Sequence, residues 1–259
     1  MTGESLRLGW TIIARAFRNM YDYMGLTMLL SSVWFLVGLV PPAFAAYLVY
    51  LFSSATGMPH LGAYMLFGLV SVGLFGPVTA ATYAVTDAVI RREEVGLRDF
   101  FRFLREHYLR GASLTAALEF ILAVLIVDIV FFASLPHAWA GYLVFLWLYF
   151  VVFFAFMASY AYPLAVRRKA GLFQTLKAAF LLAADNLVVS LLVALTALAF
   201  GAASLFLQAP FLLFFGGTIA FLHCVALDEV MKKYAAMRQQ KGEAETSDER
   251  EVEEESSNV

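Results

Sequence analysis

Residues 75–111 read FGPVTAATYAVTDAVIRREEVGLRDFFRFLREHYLRG, and this stretch decides the fold. From Phe75 to Ile90 the chain is apolar or small, interrupted only by threonines and Asp87. Arg91, Arg92, Arg98, Arg102, Arg105 and Arg110 then follow in close succession. An apolar helix that runs abruptly into arginines is how a membrane span arrives at its basic side. Pro77 has no amide hydrogen, so the carbonyl of Gly73 loses its helical partner and the helix bends. Thr79 and Thr82 can bond back to carbonyls and deepen the bend. Gly76, Ala80, Ala84 and Ala88 recur every four residues, a small-residue strip on which another helix can approach closely. Gly76, Pro77, Thr79, Ala80 and Ala84 are therefore assigned to kinking and packing, with a ligand site as the competing reading.

The same logic extends in both directions. Hydrophobic residues make up 62% of the 259-residue chain and charged residues 15%, with a mean hydropathy of +0.77. Soluble domains carry nearer a quarter charged residues, so the composition is that of a membrane protein. Runs of about 20 mostly apolar residues, the length a span requires, predict helices at 26–52, 62–90, 112–134, 139–165, 187–207 and 210–229. All eighteen Lys and Arg fall before the first span, after the second, after the fourth or after the sixth. The connections SSATGMPH (53–60), SLPHAWAG (134–141) and LQAP (207–210) have none. The bias of Lys and Arg towards cytoplasmic loops then predicts six spans with both termini in the cytoplasm.

Each pair of spans is preceded by a stretch with helical amphipathic spacing. The apolar positions are Leu6, Trp10, Ile13 and Phe17 in the first; Leu97, Phe100, Phe101, Leu104 and Tyr108 in the second; and Leu172, Leu176 and Phe180 in the third. Arg98, Arg102 and Arg105 form a basic face on the second. Such helices either lie among anionic lipid headgroups or pack as elbows of the bundle. The expectation is an all-α polytopic protein: six transmembrane helices in three hairpins, each preceded by a cytoplasmic amphipathic elbow, a threefold pattern. The membrane domain is expected over 1–237. Residues 238–259 contain the run GEAETSDEREVEEESSNV, which holds eight of the twenty acidic residues, and are expected to form a disordered acidic cytoplasmic tail.

The run GPVTAATYAVTDAVIRREEVGLRDFFRFLREHY, with the later AFLLAADNLVVSLLVAL and LFFGGTIAFLHC, resembles the YesL-like family of bacterial integral membrane proteins, a domain of unknown function. The sequence departs from that pattern by the additional stretch AYLVYLFSSATGMPHLGAYMLF. The resemblance implies the bacterial cytoplasmic (inner) membrane. Because such proteins are typically encoded near sugar-import genes, it also implies an accessory role in carbohydrate uptake beside a sugar transporter. It supplies no catalytic residues.

Within the spans two acids stand out, Glu119 and Asp128. A charge in hydrocarbon costs several kcal/mol unless paired or hydrated, so each is a candidate intramembrane polar site. Nine residues apart, they point to nearly opposite faces. Glu119 either snorkels or serves a site. Asp128 either accepts a hydrogen bond from Tyr142 or Tyr149, or lines a solute or proton pathway. Asp87 and Asp185 lie near span ends, and Asp185 or Asn186 is expected to N-cap the fifth span. His223, Cys224 and Asp228 lack the spacing of a metal set. The single cysteine excludes an internal disulfide. The sequence contains no P-loop, HExxH or GxSxG pattern. The expectation is thus an accessory or scaffold protein, neither an enzyme nor a binder of nucleic acid, with no cofactor. The alternative is a small-solute carrier or the substrate-binding membrane subunit of a transporter.

Overall fold

The computed structural model describes the backbone of residues 2–56, 61–168, 170–207 and 209–257. His60 and Lys169, which entered the charge and loop pattern above, lie outside the described residues, as do the side chains of the acidic tail beyond 240. The elements are α1 (Thr2–Asp22), α2 (Met24–Val33), α3 (Val40–Thr56), α4 (Leu61–Val70), α5 (Gly76–Ile90), α6 (Leu97–Glu106), α7 (Tyr108–Ser134), α8 (Ala138–Arg167), α9 (Leu172–Asp185), α10 (Leu187–Leu207) and α11 (Ala209–Ser257). A π turn, Trp34–Leu39, joins α2 to α3, and a second, Ser71–Phe75, joins α4 to α5. Six helical stretches are long and apolar enough to cross a membrane: Met24–Thr56, Met65–Ile90, Tyr108–Ser134, Trp139–Arg167, Leu187–Leu207 and Leu213–Gln240. This is the make-up of a multi-pass membrane protein. The ends agree with the hydropathy reading to within a few residues, except that the sixth runs well beyond 229.

Proline explains the π turns. Pro41 and Pro42 follow the first and Pro77 the second. A π turn bonds residue i to i+5 and widens the helix by one residue; here Val40 N–H bonds the Phe35 carbonyl and Gly76 N–H the Ser71 carbonyl. The widened turn accommodates the ring that an α-turn would crowd. The carbonyl that Pro77 leaves open, that of Gly73, accepts a hydrogen bond from the Tyr108 hydroxyl at 3.0 Å. Thr82 bonds back to the Val78 carbonyl (2.9 Å), as expected, whereas Thr79 instead accepts the Trp34 indole N–H (3.0 Å). The two π turns pack together, with Trp34 edge-on to Phe75 at 5.3 Å.

The small-residue strip of α5 is a close crossing, and its partner is α7. A methyl group added at Gly111 would lie 2.6 Å from the Gly76 carbonyl oxygen and 2.9 Å from Ala80 Cβ. Gly76, Ala80, Ala84 and Ala88 are all buried. A second close approach joins the first and last spans, where the Gly217 amide donates to Ser31 Oγ at 2.8 Å. α11 is the axial helix: it packs against α1, α2, α5, α8 and α10.

The three helices that precede spans, α1, α6 and α9, pack through only part of the faces the amphipathic spacing singled out: Ile13, Phe100, Leu104 and Leu176 pack inward, and small residues beside them fill the rest of the contact. On α1 the buried positions are Gly9, Ile12 and Ala16, whereas Leu6 and Trp10 are exposed. On α9 they are Thr175, Ala179 and Ala183, with Leu172 and Phe180 outward. On α6 Phe100 is buried, but Phe101 is 67% exposed. Small residues admit a neighbouring backbone and so occupy the contact; bulky apolar side chains face outward, as they do in a bundle solvated by lipid. The expected N-cap at Asn186 is also replaced. Its side-chain amide donates to the Leu182 carbonyl and to Tyr234 Oη, and its carbonyl accepts from Lys233, tying α9 to α11. The segment expected to be without structure continues α11 as helix to Ser257; it contains no proline and, after Gly242, no glycine, and Glu, Ala and Arg are good helix formers.

Two glycines should therefore respond oppositely to alanine. Gly111→Ala forces the α5–α7 crossing apart and should cost about 1–3 kcal/mol, read as a lower unfolding midpoint in detergent. Gly73→Ala has nothing within 4 Å of the added carbon and should leave the midpoint unchanged or raise it.

Candidate functional site: a polar floor beneath an apolar cavity

Two layers of polar side chains cross the bundle. The lower one, at the end rich in Lys and Arg, is an ion-pair lattice. Asp87, on α5 one turn before Arg91, is fully buried. Arg167, at the end of α8, bonds it through Nε and also reaches Asp228 of α11 at 3.3 Å. Asp228 is held as well by Arg15 of α1 at 2.8 Å and by Lys232 at 2.9 Å, and Arg15 also contacts Glu229. Arg91 lies 3.1 Å from the second oxygen of Asp87. Three carboxylates and four cations from α1, α5 and its C-cap, α8 and α11 are thus paired across the bundle. The exposed members, Arg91 and Lys232, sit on its rim.

α5 ends immediately past this lattice, in a turn that aims the chain into α6. Arg92 has φ 62°; its amide bonds the Val89 carbonyl and that of Glu93 the Ala88 carbonyl, the Schellman pairing that ends a helix on a left-handed residue. The Asp99 carboxylate then accepts the Gly96 amide at 2.8 Å and starts α6.

The upper layer is aromatic. Tyr83 lies one turn above Asp87, and its hydroxyl is 2.7 Å from His223 Nδ1. Tyr83 stacks on Tyr162 with ring centroids 5.4 Å apart. The Tyr162 hydroxyl is 2.7 Å from Thr115 Oγ1. Thr115 spends its own proton on the Gly111 carbonyl at 2.8 Å, so Tyr162 is the donor between them. Cys224, fully buried beside His223, contacts the Tyr83 carbonyl through sulfur at 3.8 Å.

Above this layer is a cavity of about 550 Å³. Its floor carries Tyr83, His223, Tyr162 and Ser159; its walls include Trp34, Phe75, Phe154 and Phe215. The volume is in the range of small-molecule sites. Among the described residues that line it, none carries a formal charge. Ser159 bonds back to the Ala155 carbonyl and Thr79 receives Trp34. His223 Nε2 is buried with no partner among the described residues.

The acids singled out from the sequence are not brought together. Glu119 accepts a hydrogen bond from Ser71, in the second π turn. Asp128 is half-buried, and neither Tyr142 nor Tyr149 bonds it: both tyrosines are exposed, at 78% and 61%. Arg98 and Arg105 are exposed, whereas Arg102 is occupied by Asp99 at 2.8 Å and Glu106 at 3.9 Å. Sequence reasoning left Asp87 as a residue near a span end, counted Arg167 only among the cations that follow the fourth span, and weighed Asp228 only against a metal set with His223 and Cys224. It did not connect Tyr83 with His223, 140 positions away. One signal was available. Both α5 and α11 place an aromatic or imidazole ring about one turn above an aspartate, Tyr83 over Asp87 and His223 over Asp228.

Removing Arg167 leaves Asp87 buried with Arg91 alone. Arg167→Met should destabilise the protein by about 3–5 kcal/mol, the cost of breaking a buried pair from one side. Lys232→Ala, at the exposed rim, should cost about 1 kcal/mol or less. Unfolding of the purified variants in detergent micelles checks both. Adding Asp87→Asn to Arg167→Met should restore part of the loss, because the uncompensated charge is then gone.

Residues 27–129 match the model of a family described as "Protein of unknown function, DUF624". The match takes in α5, the α5–α7 crossing, the second span and most of the first and third, and excludes Arg167, His223 and Asp228. Neither the curated proteins nor the solved structures yield a match to this chain.

Proposed function

We propose that this chain is a multi-pass protein of the bacterial cytoplasmic membrane that holds a ligand within the bilayer, in an accessory role, and does not conduct a solute across it. The observation that supports this most directly is the cavity above a closed lattice: an apolar chamber whose route to the basic end is blocked by Asp87, Arg167, Asp228 and Arg15. A carrier would need a path past those paired charges, and Glu119, already bonded to Ser71, does not line the chamber. The alternation of Lys and Arg between connections supports cytoplasmic termini and three hairpins. Outward Trp10, Phe101 and Phe173 on α1, α6 and α9, with exposed Arg98 and Arg105, suit elbows lying among anionic headgroups of the inner leaflet. The cavity has too few uncommitted polar groups for a sugar. A role in carbohydrate uptake would therefore run through a partner transporter.

Orientation is tested with an impermeant thiol reagent on intact cells, using cysteines at 98 and 138 in a Cys224→Ala background. Position 138 should label from outside and position 98 only after permeabilisation; the reverse pattern would refute the orientation. Ligand holding is tested by organic extraction of the detergent-purified protein. Stoichiometric release of a bound molecule is expected, and its loss on filling the cavity with Ala158→Phe. An empty protein that carries solute in proteoliposomes would sink the reading.

A further inference from the structure

The chemistry of the chamber names the class of molecule it takes. Resting on the reading of the cavity as a ligand site, we infer that the occupant is a neutral single-chain lipid whose head carries a hydrogen-bond acceptor, docked on the Tyr83–His223 pair and entering sideways from the bilayer.

Three observations lead there. The first is proton accounting at the floor. A neutral histidine has one N–H and tyrosine one O–H. The 2.7 Å contact between Tyr83 Oη and His223 Nδ1 consumes one of these two protons. If Tyr83 donates, the remaining hydrogen is on His223 Nε2, which is buried without a partner among the described residues. If Nδ1 donates, the remaining hydrogen is that of the Tyr83 hydroxyl, for which no second partner is present among the described residues. In either tautomer the pair keeps one donor to give, and a buried donor without an acceptor is costly. Of the other polar groups that line the chamber, Ser159 donates to the Ala155 carbonyl and Tyr162 to Thr115, while Thr79 accepts the Trp34 indole N–H and keeps its own hydroxyl proton, higher on the wall.

The second observation is the absence of charge. Among the described residues no lysine, arginine, aspartate or glutamate lines the chamber, so neither a carboxylate head nor an ammonium head would find a counter-ion among them. An ester, an alcohol or a glycerol oxygen accepts a hydrogen bond without one. The third is the shape and position of the mouth. The chamber rises from Tyr162 to Val151 on α8, eleven residues or about 16 Å of helix, with Ala155 partway up. At that height Ala155 is exposed and so is Leu198 of α10, at 70%. Both belong to spans, so the opening faces hydrocarbon and not water. An apolar chain against Phe154, Phe215, Trp34 and Leu122, with one acceptor at its buried end, matches the apolar walls and the spare donor of the Tyr83–His223 pair.

Trp34 lines the chamber and reports on its contents. In a protein with Trp10, Trp139 and Trp147 replaced by Phe, Trp34 fluorescence in detergent should be quenched saturably by a monoacylglycerol carrying a brominated stearoyl chain, and unlabelled monoacylglycerol should compete. A brominated alkane of the same length, which lacks the acceptor, should bind about tenfold more weakly, the loss of one hydrogen bond to a buried donor. His223→Phe should remove that tenfold preference, and His223→Gln, which keeps an amide donor, should retain it. The comparison of lipid with alkane needs neither variant and stands if His223→Phe fails to fold. Equal saturable quenching by lipid and alkane would overturn the head-group assignment while leaving the cavity a ligand site. No saturable quenching by either would overturn both.

Discussion

Pro77 removes one amide hydrogen from a helix that has no water to replace it, and much of the architecture follows from that deficit. In hydrocarbon an unpaired carbonyl costs several kcal/mol. The chain meets the cost in two ways: a π turn over Ser71–Phe75, and the Tyr108 hydroxyl on the Gly73 carbonyl. Tyr108 is the first residue of α7, so the same hydrogen bond fixes where α7 begins beside α5. Gly76 and Gly111 then meet at the crossing. The matching π turn before Pro41 and Pro42 packs against the second, and the principal neighbours of α3 and α4 beyond the two turns are each other and the turns. With that pair engaged on itself, Trp34 and Phe75 at the turns become a wall of the chamber between α5, α8, α10 and α11.

Packing elsewhere obeys the same solvent. Lipid tails offer no hydrophobic penalty to a large apolar side chain, so contacts form where backbones can approach. This accounts for Gly217 against Ser31, Gly9 against Leu192 and the Thr175–Ala179–Ala183 face of α9. It also accounts for the outward position of Trp10, Phe101 and Phe173. The lattice at the basic end works by a different principle. Its charges are held by one another, and the aromatic layer above keeps it apart from the chamber.

The spans were legible because hydropathy and the placement of Lys and Arg are properties of neighbours in sequence. The α5 strip was legible for the same reason: four-residue spacing is local. Its partner Gly111 was not, because nothing local says which helix comes close. On the amphipathic stretches Leu6, Trp10 and Phe180 face outward, as an apolar face does on a helix that lies among headgroups; the spacing located that face, and it was the small residues at the helix contacts that it did not single out. The floor of the chamber was hidden most deeply. Tyr83 and His223 look like unremarkable residues of two separate spans, and only tertiary packing makes them a pair. Glu119 and Asp128 drew attention as isolated acids, whereas Asp87 and Asp228, nearer the ends, are the acids locked into the lattice.

The lattice also has a history within each molecule. A ribosome delivers α5 long before α8 and α11, since chains emerge from the N-terminus onward. Asp87 therefore enters the membrane well ahead of Arg167, and Arg15 waits through almost the whole of synthesis for Asp228 and Glu229. Until the sixth span arrives, the nascent protein carries unmatched charge at one face of a half-built bundle. Completion of the chain is thus recorded as charge pairing, and a product truncated before α11 would display Arg15 without Asp228 and Glu229 and leave Arg167 with Asp87 alone, a feature that separates unfinished copies from finished ones.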